Sequence, residues 1–176
     1  MNLRLKRTPG IYLVGFMAAG KTTIGRLLAD RLGWIFVDID DDIEAAEKTT
    51  ISQIFASRGE EEFRRIEKEA IRRRVRTIEC GRPMVLALGG GAFVQPNNFE
   101  LIENNGVSIW LDCPFETVER RVAQTGHRPL ARDPEQFAKL YRTRRDAYSR
   151  ADVRIPIDSD DPEEAVAAIL RLALIR

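Results

Sequence analysis

Residues 15–22 read Gly15-Phe16-Met17-Ala18-Ala19-Gly20-Lys21-Thr22. An apolar run from Ile11 to Val14 precedes them, and Ile24, Leu27, Leu28 and Leu32 follow at helical spacing. That order spells a strand, a glycine-bounded loop and a helix. In such a unit the loop's N–H groups turn inward around a phosphate, and the helix N-terminus adds partial positive charge. A lysine at position 21 reaches the outer phosphates, and the Thr22 hydroxyl can ligate Mg²⁺. A glycine-rich turn that merely joined β to α would need neither side chain. The stretch therefore predicts a bound nucleoside triphosphate.

Four further extended apolar runs follow, at Trp34–Val37, Met84–Leu88, Val107–Leu111 and Val153–Ile157. Segments of helical period separate them. Alternating strands and helices predict an α/β fold, a five-stranded parallel sheet sandwiched by helices. Asp161-Pro162 places an N-cap before a proline at the first helical position, so a closing helix is expected from Pro162 to Ile175. With 176 residues and 44% hydrophobic content, the chain can bury one substantial core, and residues 1–176 read as a single domain. Two stretches do not look like sheet crossovers. About 40–80 is long, charged and helical, with a thin apolar stripe, and reads as an insertion standing off the sheet. About 125–135 begins with Gly126 and Pro129 and reads as a lid, followed by a helix from Pro134 to Arg150.

Composition excludes several classes. Lys and Arg number 28 against 27 Asp and Glu, a balance that argues against a nucleic-acid-coating protein. Cys80 and Cys113 lack metal-ligand spacing and His127 is the sole histidine, so neither zinc chemistry nor a disulfide framework is expected. No stretch has the length of a membrane span or the pattern of a signal peptide, so a cytoplasmic, soluble protein is expected.

Beyond the loop, several polar constellations invite a chemical reading. Asp38-Ile39-Asp40 closes the second strand, and strand alternation would put both carboxylates on one side at its carboxyl end. One carboxylate there can hold a metal-bound water and the other can take a proton from an attacking hydroxyl. N-capping of a helix beginning near Ile43 is the plainer use of Asp40, Asp41 and Asp42. Arg64 and Glu67 are three apart on one helix face, either a solvated surface pair or a braced guanidinium ready to grip a carboxylate. Gly89-Gly90-Gly91 at a strand end lets a ligand touch main chain, or is simply a flexible turn. Arg128 before Pro129, with Arg144 and Arg145 beyond, supplies cations suited to charge on a transferring phosphoryl group.

Taken together, the phosphate loop, Asp38-Ile39-Asp40, Glu62-Phe63-Arg64-Arg65-Ile66-Glu67, Gly89-Gly90-Gly91 and Arg128-Pro129-Leu130 resemble shikimate kinase, from about Ile11 to Pro162. The resemblance implies a P-loop fold of the nucleoside monophosphate kinase type, and transfer of the γ-phosphate of ATP to the 3-hydroxyl of shikimate with Mg²⁺. It implies an ATP site at Ala18, Ala19, Gly20, Lys21, Thr22 and Thr23, with Arg121, Arg128 and Pro162. The metal would be held at Thr22 and, through water, Asp38. Shikimate would be bound by Asp40, Arg64, Glu67, Gly89, Gly90, Gly91 and Arg144, with Lys21, Asp40 and Arg128 catalytic. The partners would be small molecules, with no nucleic acid and no membrane, and the chain would be a monomer.

The sequence departs from the family at three places. Ile39 stands where relatives carry Ser or Thr, Ala131 replaces a second leucine of the lid motif, and Arg144-Arg145-Asp146-Ala147-Tyr148 lacks the usual proline. Without that proline either Arg144 or Arg145 can face the pocket, and Asp146 can orient a guanidinium or weaken its pull. Two other readings share the phosphate loop: a gluconate-type or nucleoside monophosphate kinase, and a nucleotide-binding homologue without turnover.

Overall fold

The computed structural model describes residues 10–125 and 133–172. Five strands form one parallel sheet in the order β2-β3-β1-β4-β5. They are β1 (Gly10–Val14), β2 (Ile35–Asp38), β3 (Met84–Ala87), β4 (Val107–Asp112) and β5 (Val153–Pro156). Every residue of β1, β3 and β4 is buried, whereas the edge strand β2 leaves Ile35 exposed. Continuous apolar runs of this kind belong in the middle of a sheet covered on both faces, and alternation fades where both sides are core.

Helix α1 (Lys21–Leu32) starts directly from the loop after β1, and Gly33 ends it with a left-handed cap whose N–H returns to Ala29 and Asp30. Ile24, Leu28 and Ala29 bury its inner face. The remaining helices are α2 (Ile39–Glu47), α3 (Ile51–Glu79), α4 (Pro96–Glu103), α5 (Phe115–Thr125), α6 (Pro134–Tyr148) and α7 (Pro162–Leu170). Helix α7 opens as expected, with the Asp161 carboxylate accepting the Glu163 N–H and proline in the first turn. Its described end is Leu170. Ile175, to which the sequence pattern ran, lies outside the described residues, as do Arg128, Pro129, Leu130 and Ala131 of the expected lid.

Two expectations change. Strand β2 stops at Asp38 and helix α2 starts at Ile39, four residues earlier than the sequence suggested. Asp38 itself is the N-cap, because its carboxylate accepts the Asp40 N–H at 3.1 Å. Asp40 and Asp38 are therefore brought together by a cap and a first helical turn, not by strand alternation. The long charged region also does more than stand off the sheet. Thr50 and Gln53 form a capping box that starts α3, and Gly59, at φ 82° and ψ 174°, breaks the helix in a conformation closed to side chains with a Cβ. Beyond that break α3 buries Ala70, Ile71, Val75 and Ile78, and Ile78 packs 3.2 Å from the position a Cβ would take on Gly10 of β1.

Candidate active site

A cavity of about 740 Å³ lies where the chain leaves the carboxyl ends of β1, β2 and β3. This is where open α/β sheets bind ligands, and the volume is of the size that holds small molecules. One end is walled by Ala18, Gly20, Lys21 and Thr22, the other by Arg64, Glu67 and Gly91.

The phosphate loop forms the first wall. Gly20 takes a left-handed conformation before α1, and no side chain caps that helix, so its first N–H groups face the loop's interior. Ala18 also sits at positive φ, 60°, a strained position of the kind found where loops grip ligands. The Lys21 ammonium donates to the carbonyls of Gly15 and Phe16, both at 2.9 Å, which tethers it across the loop. Thr22 Oγ1 donates to Asp38 Oδ2 at 2.7 Å. That hydrogen bond ties the start of α1 to the end of β2 and presents a hydroxyl and a carboxylate side by side.

Asp40 stands behind this pair. Burial raises its carboxyl above the ordinary aspartate range, and the neighbouring Asp38 charge adds to the rise while Lys21 opposes it. Three remote segments at the far end of the cavity then converge through the glycines. A Cβ on Gly89 would lie 2.8 Å from Asp40 Oδ1 and 3.4 Å from Glu67 Oε1. One on Gly90 would lie 2.9 Å from Arg144 Nη1, and one on Gly91 would lie 2.7 Å from Arg64 Nη2. Each glycine is thus small because a charged side chain occupies the space its own would fill.

Arg64 donates from Nη1 to Glu67 Oε2 at 2.9 Å and from Nη2 to Glu60 Oε1 at 3.3 Å. Glu67 is only 1% exposed, so this is no solvated surface pair. Burial pushes the Glu67 carboxyl up and the Arg64 charge pulls it back down. Arg64 Nε is buried and has no hydrogen-bond partner among the described residues. A donor so placed is expensive unless a ligand meets it.

The structure separates the two arginines of α6. Arg144 lines the cavity, its guanidinium 5.6 Å from the ring centre of Phe16. Arg145 points away and forks onto Asp112 at the end of β4, with Nη2 2.9 Å from Oδ2 and Nη1 on Oδ1. Asp146 is exposed and takes no part in the cavity wall. The missing proline simply allows α6 to run on to Tyr148, keeping Arg144 and Tyr148 one turn apart on the same face. Tyr148 donates to the Gly90 carbonyl, and burial pushes its phenol up to about 12, so it remains a donor at neutral pH. Ile39, where relatives carry a hydroxyl, is wholly buried in the core.

At the phosphate-loop end, Arg121 of α5 donates to the Ala18 carbonyl at 2.9 Å and to Asp160 at 2.7 Å, and Pro162 lines the same wall. Asp160 and Phe16 are participants the sequence reading missed. Phe16 carried no signal, being one apolar residue inside the loop motif. Thr23 lines the cavity beside Thr22, and Ala19 is buried beneath the loop.

Residues 17–173 match the family model described as shikimate kinase. The chain belongs to the shikimate kinase family. A shikimate kinase from Persephonella marina is 40% identical over 161 residues, covering 91% of this chain and 96% of that protein. One from Moorella thermoacetica is 42% identical over 163 residues, covering 91% of each. The solved structure of shikimate kinase from Acinetobacter baumannii, in complex with shikimate, superposes with a TM-score of 0.87 at 34% identity, covering 97% of this chain and 95% of that one. A sugar kinase from Janibacter, 16% identical with a TM-score of 0.63, shares the fold alone. The five-stranded order and the flanking helices are those of shikimate kinase structures. Kinases of this family use ATP, and among the described residues no helix is long and apolar enough to cross a membrane.

Proposed function

We propose that this chain transfers the γ-phosphate of ATP to the 3-hydroxyl of shikimate, giving shikimate 3-phosphate and ADP. The observation that carries this reading is the braced Arg64, held by buried Glu67 across the cavity from the phosphate loop with Asp40 between them. A planar guanidinium fixed in this way suits a carboxylate taken in two-pronged fashion. Shikimate has that carboxylate. A neutral polyol would leave Arg64 without a purpose.

The chemistry asks little covalent work of the protein. The acceptor oxygen bonds to the γ-phosphorus as the bridge oxygen to ADP leaves in line, and the hydroxyl proton passes to Asp40. A carboxylate with a raised pKa is the better base; burial and the Asp38 charge raise that of Asp40, and the nearby Lys21 charge opposes the rise. Arg64 and Arg144 hold the acceptor's carboxylate, Glu67 holds Arg64, and Gly90 contributes main chain to the pocket wall. Loop amides from Ala18 to Thr22 cradle the phosphates while Lys21 moves from its carbonyl tethers to the transferring group. Arg121 and Pro162 flank the adenine. Arg128, outside the described residues, is assigned from its sequence position to neutralise phosphoryl charge.

Thr22 Oγ1 and the Asp38 carboxylate fit Mg²⁺, which takes one or two protein oxygens and completes its shell with phosphates and water. When bound, the ion supplies Lewis-acid neutralisation of the phosphate oxygens. The family resemblance supports a monomer acting in the cytoplasm.

The test is ADP release followed by a coupled assay with shikimate, gluconate and AMP as acceptors in parallel. Turnover confined to shikimate is expected. Turnover with gluconate or AMP in its place would assign the site to another kinase, and none with any acceptor would make it a nucleotide-binding protein.

A further inference from the structure

Arg145 adjoins Arg144, which lines the cavity, yet does not line it, and its own partners lie on the sheet. Asp112 is 6% exposed at the carboxyl end of β4 and accepts both prongs of Arg145. Arg154 of β5 also donates to it, from Nε at 2.8 Å and Nη2 at 2.6 Å. Arg145 Nη1 further meets Tyr141 Oη at 2.8 Å, and that hydroxyl donates to the Cys113 carbonyl at 2.8 Å. The guanidinium lies 4.9 Å from the centre of the Trp110 ring. Helix α6 is thereby tied to the sheet by a planar, two-pronged clamp, beside the contacts of its buried Phe137, Tyr141 and Tyr148. Adjacent residues on a helix are about 100° apart, so locking Arg145 onto β4 sets the direction of Arg144.

We propose that Arg145 is a positioning residue for the acceptor site: its clamp on Asp112 sets the phase of α6 so that Arg144 meets the substrate carboxylate at Gly90. The inference rests on the reading of Arg144 given above. It makes Arg145 a specificity residue that touches neither substrate. Asp112 keeps a cation without it, because Arg154 remains, so the fold survives loss of the clamp while the register of Arg144 does not.

Arg145→Gln, Arg145→Lys and Arg154→Gln are compared with the unaltered chain in steady-state kinetics against both substrates, with thermal melts run alongside. Arg145→Gln is expected to raise KM for shikimate about tenfold, as loose positioning of a binding group does, with kcat and KM for ATP within about twofold. Arg145→Lys, a point charge where a fork stood, is expected to fall between and carries the test if the glutamine variant does not fold. Arg154→Gln removes the other cation from the same carboxylate but does not hold α6, and is expected to leave the shikimate KM unchanged. An unaltered KM in Arg145→Gln, an equal rise for both substrates, or the same rise in Arg154→Gln would overturn the proposal. Absence of turnover in the unaltered chain would instead refute the assigned reaction.

Discussion

The main chain of Gly90 and the guanidinium of Arg144 occupy adjoining space, such that a Cβ on Gly90 would come within 2.9 Å of Arg144 Nη1. Tyr148 closes the same corner by donating to the Gly90 carbonyl. A glycine in the third strand's exit loop and an arginine on the sixth helix, 54 residues apart by number, thus share one wall of the cavity. Gly90→Ala adds no backbone strain, since Gly90 is not in the left-handed region, and displaces the end of a flexible side chain. The shikimate KM of that variant is expected to rise about tenfold with little change in melting temperature, because only the position of a binding group is disturbed. A melt that collapses with KM unchanged would make the contact structural.

Arg64→Lys keeps the charge and discards the fork. A lysine ammonium paired with Glu67 in place of Arg64 Nη1 would leave no further coplanar nitrogen for a substrate carboxylate. The expected result is a rise in shikimate KM of about tenfold or more, with KM for ATP unmoved, read by the same coupled assay. Unchanged affinity would return Arg64 to the helix surface.

Asp40→Asn separates function from stability. Loss of the proton acceptor is expected to lower kcat about 10²-fold or more, with ATP affinity retained. Stability should move the other way. Asp40 has its pKa raised in the folded state, so its contribution to stability is fullest below the unfolded value and is lost as pH rises through the folded one. At neutral pH the charged form opposes folding, and the asparagine variant is expected to melt higher than the unaltered chain, with the difference shrinking as pH falls toward 4, about the unfolded aspartate value. The acid limb of the kcat profile should likewise lie above the ordinary aspartate range. A melting difference that does not vary with pH would mean that the charge is not the cause.

Thr22→Val removes the hydroxyl that lies 2.7 Å from Asp38 and leaves the shape of the side chain. The Mg²⁺ concentration giving half-maximal rate is expected to rise about tenfold, as the loss of one oxygen from a shared cation site requires, and chelation should abolish turnover in both forms. An unchanged requirement would confine Thr22 to its hydrogen bond with Asp38.

How much of this was legible beforehand depends on how local each feature is. The strand, loop and helix around Lys21 declare themselves within a dozen residues, because glycine, lysine and hydroxyl must follow one another for amides to surround a phosphate. The alternation of apolar runs with helical segments likewise sufficed for a parallel, two-sided sheet. Asp38 and Asp40 were identified as a pair for a reason the structure replaces: the strand ends two residues too early for alternation to matter, and the cap at Asp38 brings them together.

The sequence by itself therefore determined the phosphate loop and the sheet that carries it, and it singled out most of the residues that the fold brings to the cavity wall, since these follow from contiguous patterns and from likeness to a known family. Only the tertiary structure decided between Arg144 and Arg145, both cationic, adjacent and equally plausible on a helix. Their directions differ by about 100° of helix rotation, and the partner that takes Arg145 away from the cavity, Asp112, lies on a strand more than thirty residues away. The same holds for Gly89, Gly90 and Gly91, whose smallness is explained by charged groups arriving from α2, α3 and α6. Helix phase and close approach between remote segments are products of packing, and no local pattern encodes them.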